Sequence, residues 1–134
     1  MEVFGFLKES YVNCPQTKYR IEDCRRDSGV ICYDLDRKAI INDFLHAVKY
    51  KYVSRFIEIV TDVGYLKGTR EQTLYATTGF IPLCQLQPGD SLLYLTGEHI
   101  EVKEIVEWNV CAPVYALLPE HNDCYFIKGF LGGC

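Results

Sequence analysis

The chain lacks most of the features that identify metal-binding, membrane-spanning and nucleic-acid-binding proteins. Its seven cysteines never fall as Cys-x-x-Cys, and it has only three histidines. No apolar run approaches the roughly twenty residues that a membrane span needs. The formal net charge is -4 and there is no basic run, which argues against a phosphate backbone as a partner. We therefore expect no metal, no cofactor, no membrane span and no nucleic acid.

An odd number of cysteines is also unlike a disulfide framework, and the first residues do not resemble a secretory signal. We expect mostly free thiols and a reducing compartment such as the cytoplasm. At 134 residues, 49% hydrophobic and 24% charged, the chain has enough apolar residues for the core of one compact domain.

Short clusters of β-branched and aromatic residues dominate the sequence, and turn residues interrupt them at short intervals. Glycine, which accepts a positive φ, stands at several of these breaks and favours hairpin turns. The pattern predicts an all-β fold. The predicted strands cover 30–33, 56–60, 73–76, 91–95 and 113–117.

The sequence also contains an approximate internal repeat. Segment 20–24, followed by Gly29, recurs sixty positions later as segment 80–84, followed by Gly89, and the register later slips by one. Two copies are too few for a solenoid, which needs at least three units. We expect two related β-rich halves that close one core about a pseudo-two-fold axis. The predicted organisation is a single domain, 1–134, with halves of roughly 20–68 and 80–129.

Segment 40–52 carries two conflicting patterns. Apolar residues at spacings of three and four, such as Ile40, Phe44 and Val48, form the stripe of an amphipathic helix. Its counterpart in the second copy, 99–103, alternates apolar and polar residues as a half-buried strand does. Because related halves share their elements, we predict a long strand over 40–52.

Four blocks of the chain resemble, in their order and spacing, the motifs of the Hint fold shared by inteins and the autoprocessing domain of hedgehog proteins. The resemblance covers nearly the whole chain and implies a Hint-like all-β fold. The matching blocks are the opening 6–12, a Gly then Thr-x-x-His-like segment at 64–75, a Leu-x-x-Gly-Asp turn at 86–90 and closing segments within 114–131.

The resemblance implies a reaction on the domain's own backbone. In this family a Cys or Ser that begins the domain attacks the preceding carbonyl and exchanges the amide for a thioester or ester. The Thr-x-x-His block polarises the scissile amide and protonates the leaving nitrogen. Inteins then cleave the far end through a final Asn, whereas hedgehog-type domains end in Cys. The family-equivalent positions in this chain are Gly5, Thr69, Gln72, His121 and Cys134.

This chain departs from the family pattern at three of its positions. Gly5 stands where the nucleophile belongs, and it has no side chain to attack with. Gln72 occupies the histidine position, and a neutral amide hydrogen-bonds but does not shuttle a proton near pH 7. Gly133 falls near the end in place of the final His-Asn. Two alignments stay open there: Cys134 takes the Asn position, or it is the first residue downstream.

The two remaining positions have plain structural explanations as well. Thr69 matches the family threonine, but it also suits an ordinary strand edge. His121 lies close to the closing-block histidine but one residue out of step, and the polar segment 119–123 around it favours a simple loop.

Three functions follow as hypotheses. The first is a Hint domain that has lost self-cleavage and serves as a structural or interaction module. The second is an active or deliberately inactivated splicing or autoprocessing domain that acts on its own flanking polypeptide. The third is an unrelated small β-barrel that binds a ligand or a protein partner. The first two require the chain ends to converge near Thr69 and His121.

Overall fold

A computed structural model describes residues 4–134 of the chain, and most of them lie in strands. Two single-turn 3-10 helices, Ile21–Asp23 and Leu83–Gln85, are the only helical elements in this part of the chain. The predicted all-β class is confirmed. The strands are β1 Phe6–Leu7, β2 Tyr11–Asn13, β3 Lys18–Arg20, β4 Gly29–Asp34, β5 Ala39–Val53, β6 Phe56–Thr61, β7 Gly64–Gly68, β8 Thr73–Ala76, β9 Gly79–Pro82, β10 Ser91–Leu93, β11 His99–Trp108, β12 Ala112–Pro119, β13 Cys124–Ile127 and β14 Phe130–Gly133.

Backbone hydrogen bonds join the strands into one continuous ladder. Its order is β3-β2-β13-β14-β8-β10-β11-β6-β7-β1-β12-β5-β4, and β9 pairs separately with β8. All five strands predicted from the sequence are present, although the one predicted at 91–95 ends at Leu93. No helix within residues 4–134 combines the length and apolar character needed to cross a membrane.

The two longest strands, β5 and β11, each link two different neighbours. β5 pairs with β4 through its first six residues and with β12 through the rest. β11 pairs first with β10 and then with β6, with a register shift between Val102 and Glu104. Each long strand therefore carries the chain from one part of the ladder to another.

The strand prediction for 40–52 is confirmed, and the helical stripe was misleading. Asp43 and Leu45 are buried, whereas Phe44 and His46, which alternate with them along the strand, are exposed. This alternation is the two-residue period of a strand. Ile40 and Phe44, which made the helical pattern, are 48% and 58% exposed and do not contribute to the core.

The two short helices have nearly the same geometry. Arg20 precedes the first with φ -64° and ψ 143°, and Pro82 precedes the second with φ -61° and ψ 146°. The residues that follow them, Cys24 and Leu86, agree equally well, with φ of -69° and -68°. Equivalent residues are therefore 62 positions apart here, and the sequence alignment at sixty positions was displaced by two.

Hydrogen bonds around the helices repeat at the same spacing. The Ile21 N–H donates to the Ser10 carbonyl at 2.8 Å, and the Leu83 N–H donates to the Gln72 carbonyl at 2.9 Å. Ser10 and Gln72 thus hold equivalent positions. Two related halves would share these hydrogen bonds. The predicted bounds of the halves, 20–68 and 80–129, stay a prediction.

The core lies where the two long strands cross the rest of the ladder. Leu45 of β5 and Val102 of β11 are both fully buried in the main cluster. Phe6 and Tyr125 join it with an edge-to-face contact, 6.1 Å between ring centroids. Residues near both ends of the chain therefore contribute directly to the same core.

One carboxylate, that of Asp43, is buried beside this core and is only 4% exposed. Its Oδ2 accepts hydrogen bonds from the His121 N–H at 2.9 Å and the Asn122 amide at 2.7 Å, and its Oδ1 accepts one from the Phe44 N–H. Burial by itself would raise the pKa of Asp43, but these hydrogen bonds outweigh it and lower the pKa. The carboxylate thereby attaches the 119–123 loop to β5.

We expect Asp43→Asn to lower the free energy of unfolding at neutral pH by about 1–3 kcal/mol, because it weakens charge-assisted bonds to buried donors. A depressed folded-state pKa stabilises the protein above the unfolded-state pKa, and this contribution is lost as pH falls through the folded-state value. The difference in free energy of unfolding between the parent and Asp43→Asn, measured with urea, should therefore become smaller as the pH is lowered. Asp36→Asn, at an exposed turn position, is the control. A deficit that does not change with pH would contradict this account.

Candidate functional site

A tight turn, Thr69 to Gln72, connects β7 to β8. The Gln72 N–H donates to the Thr69 carbonyl at 3.2 Å, and the Gln72 carbonyl accepts from the Leu83 N–H. Cys84 donates in the same way to the Arg70 carbonyl at 3.1 Å. Thr69 is 4% exposed and Gln72 is completely buried. The second short helix thus holds this turn in place. The Thr69 and Gln72 side chains of the turn face the interior.

The beginning of the described chain lies against this turn. The Thr69 N–H donates to the Gly5 carbonyl at 2.9 Å. In the ladder the next residue, Phe6, lies opposite Gly68 on one side and Tyr115 on the other. The backbone at Gly5 is therefore enclosed by β7 and β12.

The other end of the chain reaches the same turn through a side chain. The Gln72 Nε2 donates to the Gly133 carbonyl at 2.6 Å and to the Thr73 carbonyl at 3.0 Å. Two carbonyl acceptors identify this atom as the amide nitrogen. One turn of four residues thus contacts Gly5 and Gly133, and it brings Gly5, Thr69, Gln72 and the residue before Cys134 together.

The backbone at Gly5 leaves no room for a side chain. A Cβ added there would overlap the carbonyl oxygen and carbon of Tyr115, both of which are backbone atoms. Backbone atoms paired in the ladder cannot turn aside as a flexible side chain can. The missing nucleophile is therefore a steric feature of this packing. No local signal in the sequence points to Tyr115, which is 110 residues away along the chain.

The two glycines near the other end are also closely packed. A Cβ at Gly132 would lie 2.9 Å from the Phe6 ring, and one at Gly133 would overlap the Thr73 hydroxyl. Side chains at these positions would push β14 away from β8 or from β1. Glycine at 132 and 133 is what allows the two ends of the chain to approach this closely.

Two buried oxygens at the turn have no hydrogen-bond partner in the described part of the chain. They are Thr69 Oγ1 and Gln72 Oε1. An unpaired buried polar group costs about 1–3 kcal/mol, so such groups are uncommon away from functional sites. A hydroxyl can donate or accept, and an amide oxygen can accept. The turn therefore has unused capacity to bind one more polar group, such as a peptide amide.

A groove of about 480 Å³ opens beside Thr69. Phe4 forms part of its wall, and the Lys51 ammonium lies 4.2 Å from the centre of the Phe4 ring. Arg55 and Arg70 also line it, and Arg70 forms an ion pair with Glu107 at 2.7 Å. The sequence patterns did not single out the two arginines. Phe4, the residue before Gly5, thus lines a groove whose charged residues are three basic ones and Glu71.

Cys134 follows the carbonyl that Gln72 holds. Its N–H donates to the Asp123 carbonyl at 2.8 Å. Cys134 is exposed as a residue, but partial removal of water from its thiol, and then the neighbouring Cys124 and Cys32 thiols, raise the pKa of this thiol. The thiol is therefore protonated at neutral pH and is a poor nucleophile. Within residues 4–134 no three His, Cys, Asp or Glu side chains are placed to hold a metal ion.

His121 is joined to the turn by no hydrogen bond of the described residues. Its side chain is exposed, and only its backbone N–H is used, in the bond to Asp43. This is the role of a residue in a polar loop. The sequence reasoning missed Asp43, although an acid within an apolar stretch was a signal that could have identified it.

Comparisons with known proteins rest on the fold, since no protein-family model and no curated protein sequence matches the chain. The bacterial intein-like domain from Clostridium thermocellum has a TM-score of 0.94 and 17% identity, with 99% of this chain and 100% of that one covered. The DnaB intein from a Synechocystis species has a TM-score of 0.86 and 12% identity, with 97% of each chain covered. The DnaX mini intein from Spirulina platensis has a TM-score of 0.85 and 17% identity, covering 96% of this chain and 98% of that one.

These similarities show that the chain has the Hint fold of inteins, as the sequence motifs predicted. They exclude a small β-barrel of a different fold. At 12–17% identity they show the fold alone, and the chemistry depends on the residues described above.

We expect Gly5→Ala to lower the free energy of unfolding by about 3 kcal/mol or more, because its methyl group must displace the paired backbone of β12. Gly29→Ala is the matched control, since a Cβ there would meet only Pro15, at 3.4 Å. That change should cost less than about 1 kcal/mol. Chemical denaturation of both variants tests this, and equal effects would contradict the packing argument.

Proposed function

We propose that this intein-like domain does not cleave its own backbone and serves as a structural or interaction module. The observation that carries the proposal is the lack of space for any side chain at Gly5. In the family that the chain resembles, the first step needs a thiol or hydroxyl at this position. A methylene group there would overlap the Tyr115 carbonyl, so the packing itself opposes a nucleophile.

The state of Gln72 supports the same proposal. Its amide stands where the resemblance expects a histidine, and it does not titrate near neutral pH. Both amide hydrogens have acceptors, at the Gly133 and Thr73 carbonyls. The residue therefore has no proton to give to a leaving nitrogen beside Gly5, and it acts as a fixed hydrogen-bond donor to the other end of the chain.

What the domain does under this proposal is hold two polypeptide segments side by side. Thr69 binds the segment at Gly5 through its backbone, and Gln72 binds the segment at Gly133 through its side chain. Polypeptide attached at either end would then leave the domain from one place. The partners are the domain's own flanking polypeptide or a separate protein that recognises this surface, and the unit is the single domain 1–134.

A second candidate function, peptide self-cleavage, is favoured by one contact. The 2.6 Å bond from Gln72 polarises the carbonyl that precedes Cys134. In such a reaction the Cys134 sulfur would add to the Gly133 carbonyl carbon, the carbon–nitrogen bond would break, and the thiol proton would pass to the freed amino group. The raised pKa of the thiol opposes this step, so we rank this function second.

The two functions are distinguished by a domain that carries a protein tag at each end. We expect it to stay intact on a denaturing gel after incubation with dithiothreitol or hydroxylamine, both of which cleave thioesters. Release of the upstream tag would overturn the first proposal. Release of the downstream tag that is abolished by Cys134→Ala would establish the second function instead.

We further expect that the double change Gly5→Cys, Gln72→His does not restore cleavage before position 5. The new side chain at position 5 must displace β12, and the histidine takes the place of the donor to Gly133. Gln72→His alone, which adds no atoms at position 5, is the control for folding. Cleavage in the double variant, read by mass spectrometry of the released tag, would show that the packing at Gly5 adapts to a nucleophile.

A further inference from the structure

The Thr69 to Gln72 turn has an equivalent at residues 7–10. The Ser10 N–H donates to the Leu7 carbonyl at 3.2 Å, as the Gln72 N–H does to the Thr69 carbonyl, also at 3.2 Å. Both turns are followed by a strand, and each gives its last carbonyl to the N–H that begins a short helix. The candidate functional site described above therefore has a counterpart elsewhere in the molecule.

A cavity of about 160 Å³ lies beside this second turn, and we call it the lysine cavity. Its lining residues are Leu7, Lys8, Glu9, Ser10, Tyr65, Lys67 and Lys128. Three of the seven residues are lysines, in a chain whose net charge is -4. Ser10 is 7% exposed. The lining thus combines three lysines with a serine, whose hydroxyl can donate a hydrogen bond.

The backbone of Lys128 is held in a conformation that lysine rarely adopts. Lys128 and Gly129 form the two-residue turn between β13 and β14, with φ of 49° and 85°. Such turns favour Asn, Asp or Gly, because a left-handed backbone costs other residues about 1–2 kcal/mol. The Lys128 N–H donates to the Tyr11 carbonyl at 2.7 Å, and the Gly129 N–H to Asn13 Oδ1 at 2.8 Å. A lysine here is not explained by the turn itself.

The side chain of Lys128 lies next to a second lysine over the same aromatic ring. The Lys128 Nζ is 3.7 Å from the centre of the Tyr65 ring, and the Lys67 Nζ is 5.2 Å from it. Neither ammonium forms an ion pair within residues 4–134. Burial and then the positive charge of Lys67 lower the pKa of Lys128, and Glu58 opposes them in part. Two ammonium groups thus lie within 5.2 Å of the centre of one ring, and neither is in an ion pair with a carboxylate of the described residues.

We propose that the lysine cavity binds a small oxyanion, namely a phosphate group. Such an anion would neutralise the adjacent ammonium groups, and it would accept a hydrogen bond from the Ser10 hydroxyl. Its size suits a volume of about 160 Å³, which is too small for a folded partner. Lysine binds phosphate as a point charge. Glu9 is the one carboxylate in the lining, and it is exposed at the rim.

The proposal is tested by titrating the folded protein with inorganic phosphate at constant ionic strength, set with sodium chloride. Amide resonances of residues 8–10 and 128–129 should shift and saturate, and the melting temperature should rise more than in chloride alone. O-phosphoserine is titrated in parallel, so that tighter binding of one ligand distinguishes a free anion from a phosphate ester. Shifts that grow linearly without saturation with both ligands would overturn the proposal.

The decisive variant is Lys128→Asn, because asparagine suits the left-handed turn and lacks the charge. It should fold, melt at a higher temperature than the parent in phosphate-free buffer, and bind phosphate about tenfold more weakly. Lys49→Gln removes an exposed lysine of β5 and should leave the affinity within about twofold. Equal affinity in the parent and Lys128→Asn would show that the cavity is not the binding site.

Discussion

The arrangement of this domain depends on the convergence of two distant backbones on one turn. Both hydrogen bonds start from the four-residue turn 69–72. The Thr69 N–H donates to the Gly5 carbonyl, and the Gln72 side chain donates to the Gly133 carbonyl. Both lie in buried surroundings, where hydrogen bonds are little weakened by competition from water. Because β1 begins beside the first contact and β14 ends at the second, the positions of Gly5 and Gly133 relative to the core follow from them.

Two turns of this domain have the same local hydrogen-bond arrangement but different surroundings. The turns at 7–10 and 69–72 share their hydrogen bonds to the short helices, yet Gln72 spans the interior to another strand whereas Ser10 lines an open cavity. The difference depends on side-chain length and on the charged residues nearby. Under the two proposals made above, one turn would hold polypeptide and the other would help to bind a phosphate group. Two similar turns would then serve two sites with unrelated chemistry.

The glycines near the chain ends link the packing to the proposed loss of chemistry. From sequence, Gly5 means only that a nucleophile is missing. In the fold it is also the place where one backbone touches another, so a single change to cysteine conflicts with the neighbouring strand. Gly132 and Gly133 are also closely packed, but against the Phe6, Thr73 and Phe80 side chains. Close backbone contact leaves no room for a reactive side chain at Gly5, which supports the proposed static role for the domain.

The sequence by itself determined the class of fold and the position of six of the fourteen strands that the structure describes, since alternation of apolar residues and the placing of glycine are local properties. Even the long strand at 40–52 followed from its repeat, although Ile40 and Phe44 imitated a helix. Only the tertiary structure decided the spacing of 62 between equivalent residues, the burial of Asp43 under the 119–123 loop and the clash between Gly5 and Tyr115. Each of these depends on contacts between residues that are tens of positions apart in the sequence. Neither the period nor the composition of a single segment specifies such contacts.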